Sequence, residues 1–199
     1  MKKIVLAFGR FNPISIGHRK LAEFIKFKAE QLKAHTGALF MSHSYDGINS
    51  PKFNKDKCKN PLPFEKKLEF VEDAIGDLIQ VMQSDAKTMY DVLYECYENE
   101  YTEVYIVGGD DRQEDWDRIK KYNGDVKNPK YYEFDKIEIL SAGARNEDSD
   151  DPTEQASASL LRQCVKDLDY DKFARFAGTK TKTEEMFDEL LYEMGIEGK

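Results

Sequence analysis

The sequence predicts an α/β fold with a doubly wound, mostly parallel sheet and helices on both faces. Two observations carry this. Short apolar runs, Ile4 to Phe8, Gly37 to Ser42 and Val104 to Val107, alternate with longer stretches of helical periodicity. Apart from Ser42 at the end of the second, the runs are apolar, as strands buried on both faces of a parallel sheet must be.

Residues 3–8 are the first strand and residues 17–33 the first helix, on which Leu21, Phe24, Ile25, Lys28 and Leu32 share one face. Gly37 to Ser42 is the second strand. Tyr45 to Asn60 is a polar loop holding four lysines, and its length marks it as functional rather than a plain connection. Pro63 to Met82 predicts a second helix, with Pro63 in its first turn and Leu68, Val71, Ile75, Leu78 and Met82 as its stripe. Lys87 to Glu98 is a third helix, turning Met89, Val92, Leu93 and Cys96 inward. Val104 to Val107 is a central parallel strand ending at Gly108-Gly109. Trp116 to Tyr122 is a short helix, and Tyr131 to Leu140 a further strand through Phe134, Ile137 and Ile139. Asn146 to Gln155 is acidic and turn-rich. Ala156 to Leu168 and Thr183 to Met194 are the last two helices.

The 199 residues suit one domain, taken as 1–180, with a helical extension over 181–199 that packs on it or at an interface, including that of a homo-oligomer. The net charge of -8 argues against broad nucleic-acid binding. Cys58, Cys96 and Cys164 have neither zinc-site nor disulfide-framework spacing, which suits reduced thiols in the cytoplasm. No apolar stretch approaches the roughly 18 residues of a membrane span.

Chemistry concentrates where the first strand gives way to the first helix: Phe8-Gly9-Arg10-Phe11-Asn12-Pro13-Ile14-Ser15-Ile16-Gly17-His18. The unpaired N–H groups and positive dipole end of a helix there favour phosphate. Gly9 admits close backbone approach, Gly17 opens the helix, and Ser15 and His18 face its N-terminus. A second element, Ala156-Ser157-Ala158-Ser159-Leu160-Leu161-Arg162, sets two hydroxyls at a helix start with a guanidinium one turn in, a pattern suited to a triphosphate tail. A third, Gly108-Gly109-Asp110, ends a strand near the switch point of the sheet, ahead of Trp116. Further candidates for holding phosphate or acid groups of a second substrate are His43, Lys57, Lys59, Lys67, Arg112 and Arg145.

The first segment resembles the opening motif of the nucleotidyltransferase superfamily, Gly-x-Phe-Asp/Asn-Pro-x-His/Thr-x-Gly-His. His18 stands at its last histidine and Ser15 at its first histidine or threonine. Ser157, Ser159 and Arg162 match the superfamily's Ile-Ser-Ser/Gly-Thr-x-x-Arg/Lys element, with Ala156 at the isoleucine. Gly108 and Asp110 are similar to the Gly-x-Asp element of mononucleotide adenylyltransferases. The resemblance implies a Rossmann-like fold and transfer of a nucleoside monophosphate, AMP from ATP, onto a phosphate-bearing small molecule such as a mononucleotide, with release of pyrophosphate. It implies His18, Ser15 and Arg162 as catalytic groups. It also implies Phe8, Gly9, Arg10, Phe11, Gly17, Gly108, Asp110, Ser157 and Ser159 as nucleotide contacts. Magnesium is expected to arrive on the triphosphate, with no dedicated protein metal site. The alternatives are a cytidylyltransferase using CTP on an alcohol phosphate, and a catalytically weak nucleotide-binding module.

Overall fold

The computed structural model describes residues 1–108, 113–143 and 151–196; Asp110, Arg112 and Arg145 lie outside them. The strands are β1 (Lys3–Gly9), β2 (Thr36–Met41), β3 (Gln80–Met82), β4 (Glu103–Gly108) and β5 (Lys136–Ser141). The helices are α1 (Ile16–Gln31), α2 (Phe64–Ile75), α3 (Met89–Glu98), α4 (Gln113–Lys121), α5 (Pro152–Gln155), α6 (Ala158–Lys166), α7 (Tyr170–Phe176) and α8 (Thr183–Glu193). By packing, the chain divides into two units.

The first unit comprises residues 1–9, 21–42 and the described residues from 78 to 143. Among the described residues it holds a sheet of five strands in the order β3-β2-β1-β4-β5, each paired parallel to its neighbour. Side chains alternate across it. Ile4, Leu6, Ala38, Phe40, Val104 and Ile106 form one face, packed with Val92, Leu93 and Cys96 of α3, Ile119 of α4, Tyr132 and Phe134. On the opposite face Gly37 lies beneath Ile25 and Ala29 of α1, where an added Cβ would meet both at 3.4 Å. The sheet is thus covered by helices on both faces, as in Rossmann-like folds. The reversal of strand order lies between β1 and β4, so Gly9 and Gly108 end the two strands that flank the switch point.

The second unit comprises residues 10–20, 43–77 and the described residues from 151 onward. It contains the first turn of α1, the long polar loop, α2 and helices α5 to α8. Met186, Phe187, Leu190 and Met194 of the last helical segment are buried within it.

Three sequence expectations need correction. The helix expected over Pro63 to Met82 ends at Ile75, where Gly76 caps it. Met82 belongs to edge strand β3, whose three residues pair with β2. The strand expected from Tyr131 begins only at Lys136. Upstream of it, the carbonyl of Tyr132 accepts from Gly124 N–H, and the Asn123 side chain bonds both backbone groups of Phe134. Those backbone groups are therefore committed before the sheet begins. Helix α7 was not expected; Asp169 caps it by accepting from Lys172 N–H at 3.0 Å, and Phe173 and Phe176 are buried one turn apart.

Candidate functional site

The segment after β1 is built around buried polar groups. Asn12 is buried, and its side chain makes two 2.9 Å bonds to Leu62, donating to the carbonyl and accepting from the N–H. Phe11 takes a positive φ of 46° and sets its ring edge-on to His18, with centroids 4.9 Å apart. Ser15 is almost fully buried, in a single antiparallel bridge with Ala177. Gly178 follows that bridge, and a Cβ there would stand 2.7 Å from the Ser15 carbonyl oxygen.

His18 is buried at the start of α1. Its Nδ1 accepts the Ser15 N–H at 3.0 Å and lies 3.1 Å from the Ser15 hydroxyl. A ring nitrogen that accepts a backbone N–H carries no proton, so in the neutral imidazole the proton sits on Nε2. The Ser15 hydroxyl, expected to reach a phosphate, here braces the histidine. Gly17, between them, is required by close approach: a Cβ would stand 2.8 Å from the Thr153 carbonyl oxygen and 3.1 Å from that of Ala156.

The second element packs against the first. Ser157 is the N-cap of α6, its hydroxyl accepting from Leu160 N–H at 3.0 Å. Arg162 is half-buried. Its guanidinium donates to the carbonyl of Asn12 at 2.7 Å and to the Ser159 hydroxyl at 3.0 Å. Burial, and next the positive charge of Arg10, push Arg162 below its ordinary pKa. Two cations held close enough to repel each other favour an anion beside them.

Beside Arg162 opens a groove of about 190 Å³. Lys57, Lys59, Arg162 and Lys166 line it together with Ser159, Gln163, Cys58 and one carboxylate, Asp56. The loop that carries Lys57 and Lys59 is folded by Asp46. That carboxylate accepts the N–H groups of Lys59 and Asn60, the Asn60 side-chain amide and the Cys58 thiol. Burial works to raise the pKa of Asp46, but these donors outweigh it and hold it below the usual value. Burial and the same carboxylate push the Cys58 thiol up to about 12, so it stays protonated.

His43 stacks face to face on Phe64, with centroids 3.9 Å apart and planes 8° from parallel. Lys67 is buried one turn further along α2, its ammonium 5.8 Å from the same ring, and burial lowers its pKa to about 8. In the first unit, Phe8 is half-buried against the core, the carbonyl of Gly9 accepts from Ser42 N–H, and that of Gly108 from Ala142 N–H. The structure thus brings together Arg10, Phe11, Ser15, Gly17, His18, Ser157, Ser159, Arg162, Lys57 and Lys59 in the second unit. Sequence reasoning missed Asn12 as a bracket, Asp46, Phe64 and Lys166. A lysine one turn after Arg162 was a usable signal for Lys166; Asn12 and Asp46 act on distant backbone and had none.

No group of three or more His, Cys, Asp or Glu residues among the described residues is placed to hold a metal ion. No helix among them is long and apolar enough to cross a membrane.

The comparison with curated proteins found no match. Among solved structures, the chain is similar to a Vibrio parahaemolyticus protein provisionally assigned as a nicotinate-nucleotide adenylyltransferase. The TM-score is 0.56 and the identity 17%, over 94% of this chain and 99% of that one. It is also similar to nicotinic acid mononucleotide adenylyltransferase from Plasmodium falciparum, solved with NaAD, with TM-score 0.57 and 16% identity over 99% of this chain and 100% of that one. At these identities the likeness establishes the fold. The cytidylyltransferase-like family matches residues 6–164, a span that takes in the His18 segment, the lysine loop and Arg162, and the chain belongs to that family of nucleotidyltransferases.

Proposed function

We propose that the protein transfers AMP from ATP to the phosphate of a small acceptor, a mononucleotide, and releases pyrophosphate. An acceptor phosphate oxygen attacks the α-phosphorus; that P–O bond forms as the α–β bridging P–O bond breaks. The observation that supports this best is the Arg162 guanidinium. It is bonded to the Asn12 carbonyl of the first segment and opens onto a groove with three lysines, in a chain whose overall charge is -8. Concentrating cations there is costly unless an anion is bound.

His18, with its proton on Nε2, donates to phosphate as charge builds on the bridging oxygen, and Ser15 keeps the ring in register. Arg162, Lys57 and Lys59 take the leaving pyrophosphate. Such a step needs placement and charge stabilisation rather than a nucleophile on the protein. Magnesium arrives on the triphosphate: the groove offers cations and a single carboxylate, which suits a metal-bound polyphosphate and not a bare divalent ion. AMP transfer is preferred to CMP transfer on the likeness in fold to mononucleotide adenylyltransferases. A pyrophosphate-release screen pairs ATP and CTP with nicotinate mononucleotide, other mononucleotides and alcohol phosphates. Release with ATP and a mononucleotide is the expected result. Release only with CTP and an alcohol phosphate reassigns the substrates, and no release with any pair overturns the enzymatic reading.

A further inference from the structure

Glu193, near the end of α8, is a buried carboxylate for which the transfer reaction has no direct use. It lies beyond the span shared with the family, which ends at residue 164. Its Oε2 accepts the Tyr45 hydroxyl at 2.8 Å, and its backbone carbonyl accepts Ile48 N–H at 2.9 Å. An added Cβ at Gly47 would collide with that carboxylate, so the loop lies directly against it. Two residues on, Gly195 has φ 63°, and a Cβ there would stand 3.1 Å from Phe53 of the same loop. The start of the loop is therefore seated on the carboxyl end of α8.

The seat connects to the groove through a chain of hydrogen bonds. Tyr45 is followed by Asp46, whose N–H donates to the Asn60 carbonyl at 2.9 Å. The Asp46 carboxylate gathers the N–H groups of Lys59 and Asn60. That turn sets Lys57 and Lys59 beside Arg162. We propose that Glu193 is a positioning residue for polyphosphate: by anchoring Tyr45 and Ile48, it holds the loop whose two lysines complete the groove beside Arg162. The inference rests on the reading of that groove as a polyphosphate site. A long loop with four lysines is costly to order, and a ligand that must order it loses affinity. Seating the loop on α8 makes part of that ordering a property of the fold.

The test measures binding of inorganic tripolyphosphate to the full chain by calorimetry, and KM and kcat for the triphosphate once the screen supplies an acceptor. Glu193→Ala and Tyr45→Phe are expected to weaken tripolyphosphate about fivefold, the range set by losing one or two side-chain hydrogen bonds, since the Tyr45 hydroxyl also accepts the Asn49 N–H at 3.2 Å. KM for the triphosphate should rise by a similar factor, with kcat within about twofold of wild type. Glu193→Gln, whose side-chain carbonyl can accept the same phenol hydrogen, should bind within about twofold of wild type. Adding Lys57→Ala to Glu193→Ala should cost less than Lys57→Ala costs alone. Should Glu193→Ala unfold at 25 °C, Tyr45→Phe, which removes one oxygen, decides the matter. Wild-type binding with unchanged affinity in Tyr45→Phe overturns the role of Glu193 and leaves the groove intact. Absence of tripolyphosphate binding by the wild-type chain overturns the groove reading itself.

Discussion

Replacing Gly17 with alanine sets two effects of opposite sign against each other. Gly17 lies in the first turn of α1, and alanine in a helix is favoured over glycine by about 0.5–1 kcal/mol. The new Cβ, however, would stand 2.8 Å from the Thr153 carbonyl oxygen and 3.1 Å from that of Ala156. Both obstacles are backbone, so no side chain can swing aside. Overpacking of this kind costs about 1–3 kcal/mol, so the net expectation is a loss of about 1–2 kcal/mol. For a chain of this length that corresponds to a fall in Tm of about 2–8 °C. The relief available is for α5 and Ala156 to move away, and Ser157, the cap of α6, follows directly. The turn carrying Ser159 and Arg162 then shifts against His18, so turnover should fall further than stability. Thermal unfolding followed by circular dichroism, with pyrophosphate release assayed well below Tm, measures both. A Gly17→Ala protein as stable as wild type, or more so, would refute the close-approach argument and leave only helix propensity.

His18→Ala should lower kcat by about a hundredfold or more, the usual cost of one transition-state donor, and near wild-type turnover removes its assigned role. Arg162→Lys keeps the charge but cannot serve the Asn12 carbonyl and the Ser159 hydroxyl with one fork; kcat/KM for the triphosphate should drop at least about tenfold, and an unchanged value refutes the bracket. Lys67 titrates near 8 when folded against 10.5 when unfolded, so the unfolded chain holds more protons between those values. Its destabilising contribution, about 3 kcal/mol, is therefore full below pH 8 and fades as pH rises towards 10.5. Lys67→Met should raise the urea midpoint at pH 7 and reduce the gain between pH 8 and 10; a lower midpoint at pH 7 contradicts this.

What could be read in the sequence was local. The β1–turn–α1 segment was legible because an apolar run, two glycines and a helical period follow one another within about thirty residues. Helix α6 and its cap were legible for the same reason. The boundary of α2 was not: Leu78 and Met82 continue its 3.6-residue spacing, and only pairing of Gln80–Met82 with β2 makes that stretch a strand. Tyr132 and Phe134 alternate as a strand would, yet Asn123 and Gly124 take up their backbone groups. At the site, His18 and Arg162 stood out by residue type and position. The role of Asn12 did not, because its partner Leu62 is fifty residues away; nor did Asp46, whose partners lie at 58–60.

Charge shows most clearly what composition hides. An excess of acids over the whole sequence, -8 overall, argues against a phosphate ligand if charge is treated as uniform.

 The arrangement of the carboxylates answers that argument. Asp46 accepts backbone N–H groups inside the lysine loop, Glu193 accepts Tyr45, and Asp73 accepts the N–H groups of Lys180 and Thr181 ahead of α8. In the second unit these acids are used inward, as hydrogen-bond acceptors that fold the chain. Lys57, Lys59 and Lys166 are left exposed around the groove, where Asp56 is the one carboxylate among the lining residues. A hydrogen bond from a backbone N–H to a carboxylate is stronger than one to a neutral acceptor, so the same acids that make the chain anionic also hold its cations in place. Net charge therefore reports on the surface as a whole, and the ligand is set by which charges the fold turns toward one groove.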